Sequence, residues 1–248
     1  MNTFQNGQFC VDHDGRHRTA DAAPNGGSWR PWQKLAGSVL LLREQLSRAS
    51  LRGRSRRYRG DVGTEVLPAA GRWDDFASLM VRRKAGGGGC VCMAYRNSSL
   101  DVPGRISHMR ALCDSEPGPG VLAFVDGQVA GWCSIAPKST YRALVNSRTI
   151  PHADDAGAWS AACFVVGVGF RRRGLMHDLL DGAVGHARAS GAVVIEGYPV
   201  DPEGGRVDQA SAYVGTVRLF EAHGFRRVLP TTGRSGGKPR WLVRRELA

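Results

Sequence analysis

The segment Val166-Gly-Val-Gly-Phe-Arg-Arg-Arg-Gly-Leu-Met176 places three adjacent arginines, Arg171, Arg172 and Arg173, between an apolar run and an apolar stripe. A strand turning into a helix there presents backbone N–H groups without partners and the positive end of the helix dipole. Together with the guanidinium groups, such a turn suits a phosphate or pyrophosphate, and Gly174 lets a ligand approach the backbone. Two nucleotide loops are excluded, one by two positions and one by a single position. Gly169 and Gly174 have the spacing of a Walker loop, yet Leu175 and Met176 stand where Lys and Ser or Thr would hold the terminal phosphate and magnesium. Gly167-Val-Gly169 opens a dinucleotide fingerprint, but Arg172 occupies the place of its third glycine. An ordinary basic strand-to-helix turn remains the alternative.

A second cluster of chemistry-bearing residues is Cys90-Val-Cys92. Its spacing lacks the second pair of a structural zinc site and no His pair lies nearby, so these are read as buried or substrate-loop thiols and no metal is expected. Cys163, inside an apolar run, is read as core.

The elements that must position these groups follow from periodicity. Trp159-Ser-Ala-Ala-Cys-Phe-Val-Val166 reads as a buried strand, and Met176, Leu179, Leu180, Ala183, Val184 and Ala187 form a helical face. Upstream, Thr64 to Leu67 suits a short strand, and Trp73, Phe76, Ala77 and Met80 a helix that ends at the Gly86 to Gly89 loop. Ile106, Met109 and Cys113 mark a second helix opened by Pro103. Val121 to Val125 and Gln128 to Ile135 are joined by Asp126-Gly127, which supplies the two positive φ angles of a type I′ hairpin turn. Residues 137 to 157 are polar and irregular. Downstream come a strand from Ala192 to Tyr198, a helix from about Ser211 to His223 stopped by Gly224, and two strands, Phe225 to Leu229 and Arg240 to Leu247.

With Arg171-Arg-Arg-Gly174-Leu-Met176 between a fourth strand and a third helix, the chain resembles the GCN5-related N-acetyltransferase (GNAT) superfamily, whose coenzyme-A signature is Arg/Gln-x-x-Gly-x-Gly/Ala. Met176 departs from the small last residue. The Asp-Gly hairpin, the Leu179-Leu180 helix, the strand through Ile195 and Leu219-Phe-Glu-Ala-His-Gly-Phe225 follow in the family's order, so the resemblance covers residues 64 to 248. Gly88-Gly-Cys-Val-Cys-Met93, Cys163-Phe-Val-Val166 and Glu196-Gly-Tyr-Pro-Val-Asp201 are similar to a bacterial branch of undefined acceptor.

The resemblance implies an α/β fold, a mixed and largely antiparallel sheet of about seven strands with helices on both faces. It implies acetyl-CoA as co-substrate, its pyrophosphate on Arg171, Arg172, Arg173, Gly174, Leu175 and Met176. The pantetheine would lie against the edge of the fourth strand at Phe164, Val165 and Val166, where that strand splays from the fifth. The acceptor amine must lose a proton, commonly to a carboxylate. Glu196 is the candidate base, with a solvent-facing strand residue as its other reading; Asp154 and Asp155 are read as loop-surface charges, Arg142 and Arg148 as surface arginines. The family's tyrosine acid is replaced by Phe220, which has no proton to give. Tyr198, at the end of the fifth strand, and Tyr213 remain, the latter two helical turns before Phe220 and about 10 Å away along the axis. The expected function is transfer of acetyl to a primary amine of a small molecule. The alternatives are a non-catalytic acyl-CoA-binding module and a protein N-acetyltransferase.

Composition sets the outer limits. A chain of 248 residues with 42% apolar residues is globular, and its longest apolar runs fall short of a membrane span. The first residues lack a basic region followed by an apolar core, so the expected location is cytoplasmic and the six cysteines are read as thiols. Residues 1 to 64, a quarter of the chain, carry half of the net charge of +12. Residues 1 to 60 are read as a mostly disordered basic extension, with Leu35, Val39, Leu42 and Leu46 admitting a helix over 32 to 49, and residues 61 to 248 as the domain. Arg52 to Arg59 is read as a solvated linker in preference to a polyanion-binding arm, since no aromatic or helical pattern organises its arginines, and a nucleic-acid partner ranks last. A homodimer is left open.

Overall fold

The structure, a computed structural model, describes residues 63–81, 90–153, 157–208 and 210–247. The N-terminal extension, its helix and basic run, the Gly86 to Gly89 loop, Asp154 and Asp155 lie outside the described residues.

Seven strands form one sheet in the order β1-β2-β3-β4-β5-β7-β6. They are β1 (Thr64–Pro68), β2 (Gly120–Val125), β3 (Gln128–Pro137), β4 (Ala158–Val166), β5 (Val194–Gly197), β6 (Arg226–Ser235) and β7 (Lys238–Glu246). Every neighbouring pair is antiparallel except β4 and β5. Asp126 and Gly127 take φ of 49° and 74°, the turn that the β2–β3 hairpin requires.

Alternation along the strands sorts side chains into cores on the two faces. Val121, Ala123 and Cys133 join Leu179, Leu180 and Ala183 of α4 (Leu175–Ala189). Leu122 and Trp132, one residue out of phase, join Phe76 of α1 (Trp73–Met80) and Met109 of α2 (Val102–Cys113). Phe76 meets Trp132 edge to face, ring centroids 4.9 Å apart. Asp101 caps α2 by accepting from the Gly104 N–H at 2.8 Å. A third cluster gathers Tyr141 and Leu144, the latter in α3 (Arg142–Val145), with Tyr198 and Leu242.

The helix expected from Ser211 to His223 is broken. A 3₁₀ turn, Ala212–Val214, is followed by Gly215 at φ 76° and then by α5 (Val217–Ala222), capped by Thr216. A positive φ ends a right-handed helix, and the residue that uses the resulting space is Phe220. A Cβ on Gly215 would come within 2.9 Å of the Phe220 ring, and one on Gly197 within 2.3 Å. The fully buried ring also lies edge-on to Phe164, centroids 6.0 Å apart, and to Phe225 at 4.9 Å. Phe220 thus packs against β4 on one side and the last residue of β5 on the other.

The final two strands are longer than expected, because Gly236 and Gly237 turn a hairpin that extends through Pro-Thr-Thr-Gly-Arg-Ser235, a stretch with no apolar alternation. The fifth strand is shorter, ending at Gly197 before Tyr198.

Gly197→Ala is expected to lower stability by about 1–3 kcal/mol through overpacking against Phe220. Urea unfolding checks this, and an unchanged midpoint would show that the Phe220 ring is not confined there.

Candidate functional site

β4 pairs with β5 over four residues only, from Ala158 opposite Val194 to Ala161 opposite Gly197, whereas its pairing with β3 continues to Val166 opposite Gly131. From Ala162 onward β4 therefore has an open edge. The Gly167 N–H donates to Ala130 O on β3 at 2.8 Å, so by strand alternation the N–H and C=O of Phe164 and Val166 point the other way, into the gap. Arg171 Nε reaches Val166 O there at 3.4 Å.

Beyond β4 the chain makes a short 3₁₀ turn, Val168–Phe170, and enters α4 through Gly174 at φ 79°. No side chain caps this helix, and a Cβ on Gly174 would meet nothing within 4 Å. The His177 N–H turns back to Gly174 O at 2.7 Å, and the N–H groups ahead of it at the helix start carry the positive end of the dipole, with the arginines around them. Arg172 holds a left-handed φ of 61°, a conformation that costs a non-glycine residue about 1 kcal/mol.

The open edge and the helix start bound one cavity of about 710 Å³. Of the residues expected to hold the coenzyme, Phe164, Val165, Val166, Arg171, Arg172, Gly174, Leu175 and Met176 line it. Arg173 does not; its guanidinium lies 5.9 Å from the centre of the Phe170 ring.

The three residues considered for proton transfer are separated. Tyr213 lines the cavity, because the break at Gly215 removes the continuous helix that would have placed it about 10 Å along an axis from Phe220. Burial, with its hydrogen-bonded neighbour Tyr95, pushes its hydroxyl above the ordinary range, so it stays protonated. Tyr95 in turn accepts from Arg240 Nη2 at 2.6 Å. Glu196 and Tyr198 are not among the lining residues. Glu196 is 0% exposed, which overturns its reading as a solvent-facing residue; β4 and β7 flank it within the sheet. Its Oε2 takes Lys138 Nζ at 2.9 Å and the Tyr198 hydroxyl at 2.9 Å, and its Oε1 faces Arg244 Nε at 3.6 Å. Arg142 and Arg148 are exposed. Phe220 is buried and does not line the cavity.

Sequence reasoning missed two features. His177 lines the cavity on the first turn of α4, its Nδ1 2.9 Å from His223 Nε2, while His223 Nδ1 meets Asp181 Oδ1 at 2.5 Å. The i, i+4 spacing of His177 and Asp181 on one helix was a readable signal. The other is the ionisation of Cys90: expected as a buried or substrate-loop thiol, it lines the cavity beside Cys163 of β4, while Cys92 is buried and accepts from Trp132 Nε1. A hydrogen bond from Cys163 holds the Cys90 thiol down to about 6, helped by the N–H groups of Cys92, Met93 and Ala94 and opposed by burial. Cys163 moves the opposite way, well above its ordinary value, through the same hydrogen bonding and burial, and remains a thiol.

No protein-family model matches the chain, and no curated protein matches it. Its neighbours among solved structures include acetyltransferases of the GNAT family. The Streptococcus pneumoniae acetyltransferase of that family is 18% identical, with 75% of this chain and 99% of that one covered and a TM-score of 0.48. Ard1 from Thermoplasma volcanium is 16% identical, with 75% and 99% covered and a TM-score of 0.45. A GCN5-related N-acetyltransferase from Kribbella flavida is 18% identical, with 75% and 98% covered and a TM-score of 0.42.

Glu196→Gln leaves Lys138 and Arg244 facing an uncharged group inside the sheet, and is expected to cost about 3–5 kcal/mol. Denaturant unfolding of the variant measures it; a change below about 1 kcal/mol, the range of exposed pairs, would overturn the assignment of a buried, charge-dependent cluster.

Proposed function

We propose that the chain is a member of the GNAT superfamily that transfers an acyl group, acetyl first among candidates, from acyl-CoA to a primary amine of a small molecule. The observation that carries this reading is that the unpaired edge of β4 and the uncapped, arginine-flanked start of α4 open onto one cavity. A coenzyme with a pyrophosphate at one end and an amide-bearing arm at the other matches that sequence of groups.

Pyrophosphate oxygens would accept from the first-turn amides of α4, with Arg171 and Arg172 adding charge-assisted bonds. The arm would add to the sheet as a strand does, its amides exchanging hydrogen bonds with Phe164 and Val166, while Leu175 and Met176 contribute apolar wall. Running from the phosphate turn back along β4, the arm brings its thioester to the level of Phe164 and Cys163, where the gap-facing Phe164 N–H can stabilise charge developing on the carbonyl oxygen. Tyr213 is the one hydroxyl-bearing residue among those lining the cavity. Held protonated, it can give its proton to the departing coenzyme sulfur, the role for which Phe220 is unsuited. A volume of about 710 Å³ suits the arm together with a small acceptor.

Calorimetric titration of the full chain with acetyl-CoA and CoA tests the reading. Gly174→Glu, which puts bulk and negative charge where the pyrophosphate would lie, is expected to weaken both at least ~100-fold, or about 2.7 kcal/mol. Release of thiol from acetyl-CoA should then depend on an added primary amine. A folded wild-type chain that binds neither ligand would overturn the proposal, and binding without amine-dependent thiol release would make the protein a binding module.

A further inference from the structure

Among the described residues that line the cavity there is no carboxylate, and Glu196 is committed to Lys138 and Arg244 outside it. The anionic group the cavity does offer is a thiolate. Cys90 lies in the cavity wall beside Cys163, at the opposite end of the β4 edge from the phosphate turn and therefore at the level of the thioester. The Cys163 thiol and the successive amides of Cys92, Met93 and Ala94 converge on its sulfur. That convergence is held by a bent backbone: Cys92 takes φ 38° and Tyr95 φ 61°, both left-handed, and strained backbone of this kind persists only where surrounding structure enforces it. The enforcement is visible. Trp132 Nε1 donates to Cys92 Sγ, the Ala143 N–H donates to Tyr95 O at 2.9 Å, and buried Arg96 donates to Pro119 O at 3.1 Å.

We propose that Cys90 is a nucleophile that carries the acyl group between coenzyme and amine, so that transfer proceeds through an S-acyl enzyme. The proposal rests on the acyl-CoA reading above. In the first step the Cys90 sulfur adds to the thioester carbonyl, the new C–S bond forms and the C–S bond to the coenzyme breaks. The coenzyme sulfur leaves with the electron pair and takes the Tyr213 proton, which solvent replaces. In the second step the neutral amine adds to the S-acyl carbonyl, the C–N bond forms, Cys90 leaves as thiolate and the nitrogen sheds its extra proton to water. Each step exchanges one acyl bond for another, so no oxidant or reductant is needed. A thiol held down to about 6 is ionised at neutral pH and is also the better leaving group of the two sulfurs, which favours the second step. Cys163 acts through Cys90 as a positioning residue.

The test is exchange of isotope-labelled CoA into unlabelled acetyl-CoA by the full chain with no amine present, together with peptide-level mass spectrometry. Wild type is expected to exchange label, to carry an acetyl group on the Cys90 peptide, and to lose exchange as pH falls through about 6. Cys90→Ala should bind acetyl-CoA as wild type does in calorimetry yet exchange nothing. Cys163→Ala should move the pH midpoint of exchange upward, and Cys163→Ser, which restores a donor, should move it back. A wild-type chain that binds acetyl-CoA but neither exchanges label nor becomes acylated overturns the S-acyl enzyme, and so does exchange retained in Cys90→Ala. Loss of amine-dependent turnover in Cys90→Ala without wild-type exchange would also overturn it and make Cys90 a base. Failure of wild type to bind acetyl-CoA at all is a separate result that removes the acyl-CoA reading and this proposal together.

Discussion

The wedge of Phe220 between β4 and the end of β5 is the constraint on which the site depends. Two parallel strands that pair for four residues would ordinarily go on pairing, since each further residue adds backbone hydrogen bonds. Here Gly197 and Gly215 give up their side chains to the Phe220 ring, and Phe164 closes over it from β4. An aromatic ring buried against both strands replaces the hydrogen bonds that would have continued the ladder. The backbone groups of Phe164 and Val166 are thereby left outside the β4–β5 ladder. Phenylalanine suits this position better than tyrosine in this chain: the ring is enclosed, and a hydroxyl there would be a polar group buried among apolar neighbours.

Behind the wedge, the same strands carry a charge cluster that makes the opposite use of burial. Lys138, Glu196 and Arg244 bring three ionisable groups into the sheet, and Tyr198, Ser160 and the carboxylate are joined by hydrogen bonds near 3 Å. Such a cluster is poorly replaced piecemeal, because removing one partner leaves the others uncompensated. It ties the end of β3 to β5 and β7 across β4, so the strand that diverges is held firmly at its paired end.

What could be read from the sequence was what is encoded locally. The Asp126-Gly127 turn, the buried run of β4 and the helical face of α4 each declare themselves within a window of a few residues, and with the last two the arginine-rich turn they flank. The interruption at Gly215 did not, because Ser211 to His223 carries an acceptable helical pattern and only the need to seat Phe220 explains the break. The burial of Glu196 is hidden for the same reason: its neighbours in sequence are an isoleucine and a glycine, while the cations that face it are Lys138, in the turn just past β3, and Arg244 of β7. Cys90 was recognisable as a substrate-loop thiol, but its ionisation depends on Cys163 in a different strand, a pairing that no spacing rule reports.

The last hairpin also bears on how copies of this chain coexist at high concentration. β6 is the outer strand of the sheet, and a free strand edge is a template on which a second chain can grow. Val228 and Leu229 are exposed on it, which would favour such growth. The edge is nevertheless poorly suited as a template. Pro230 offers no N–H, the register slips on both sides of it, and Arg226, Arg227 and Arg234 set positive charge along the strand. Arg227 is also drawn back toward its own chain by Asp201 at 2.6 Å and Glu221 at 2.9 Å. The irregularity that hid the second half of this strand from pattern reading is what keeps the sheet from extending into its neighbours.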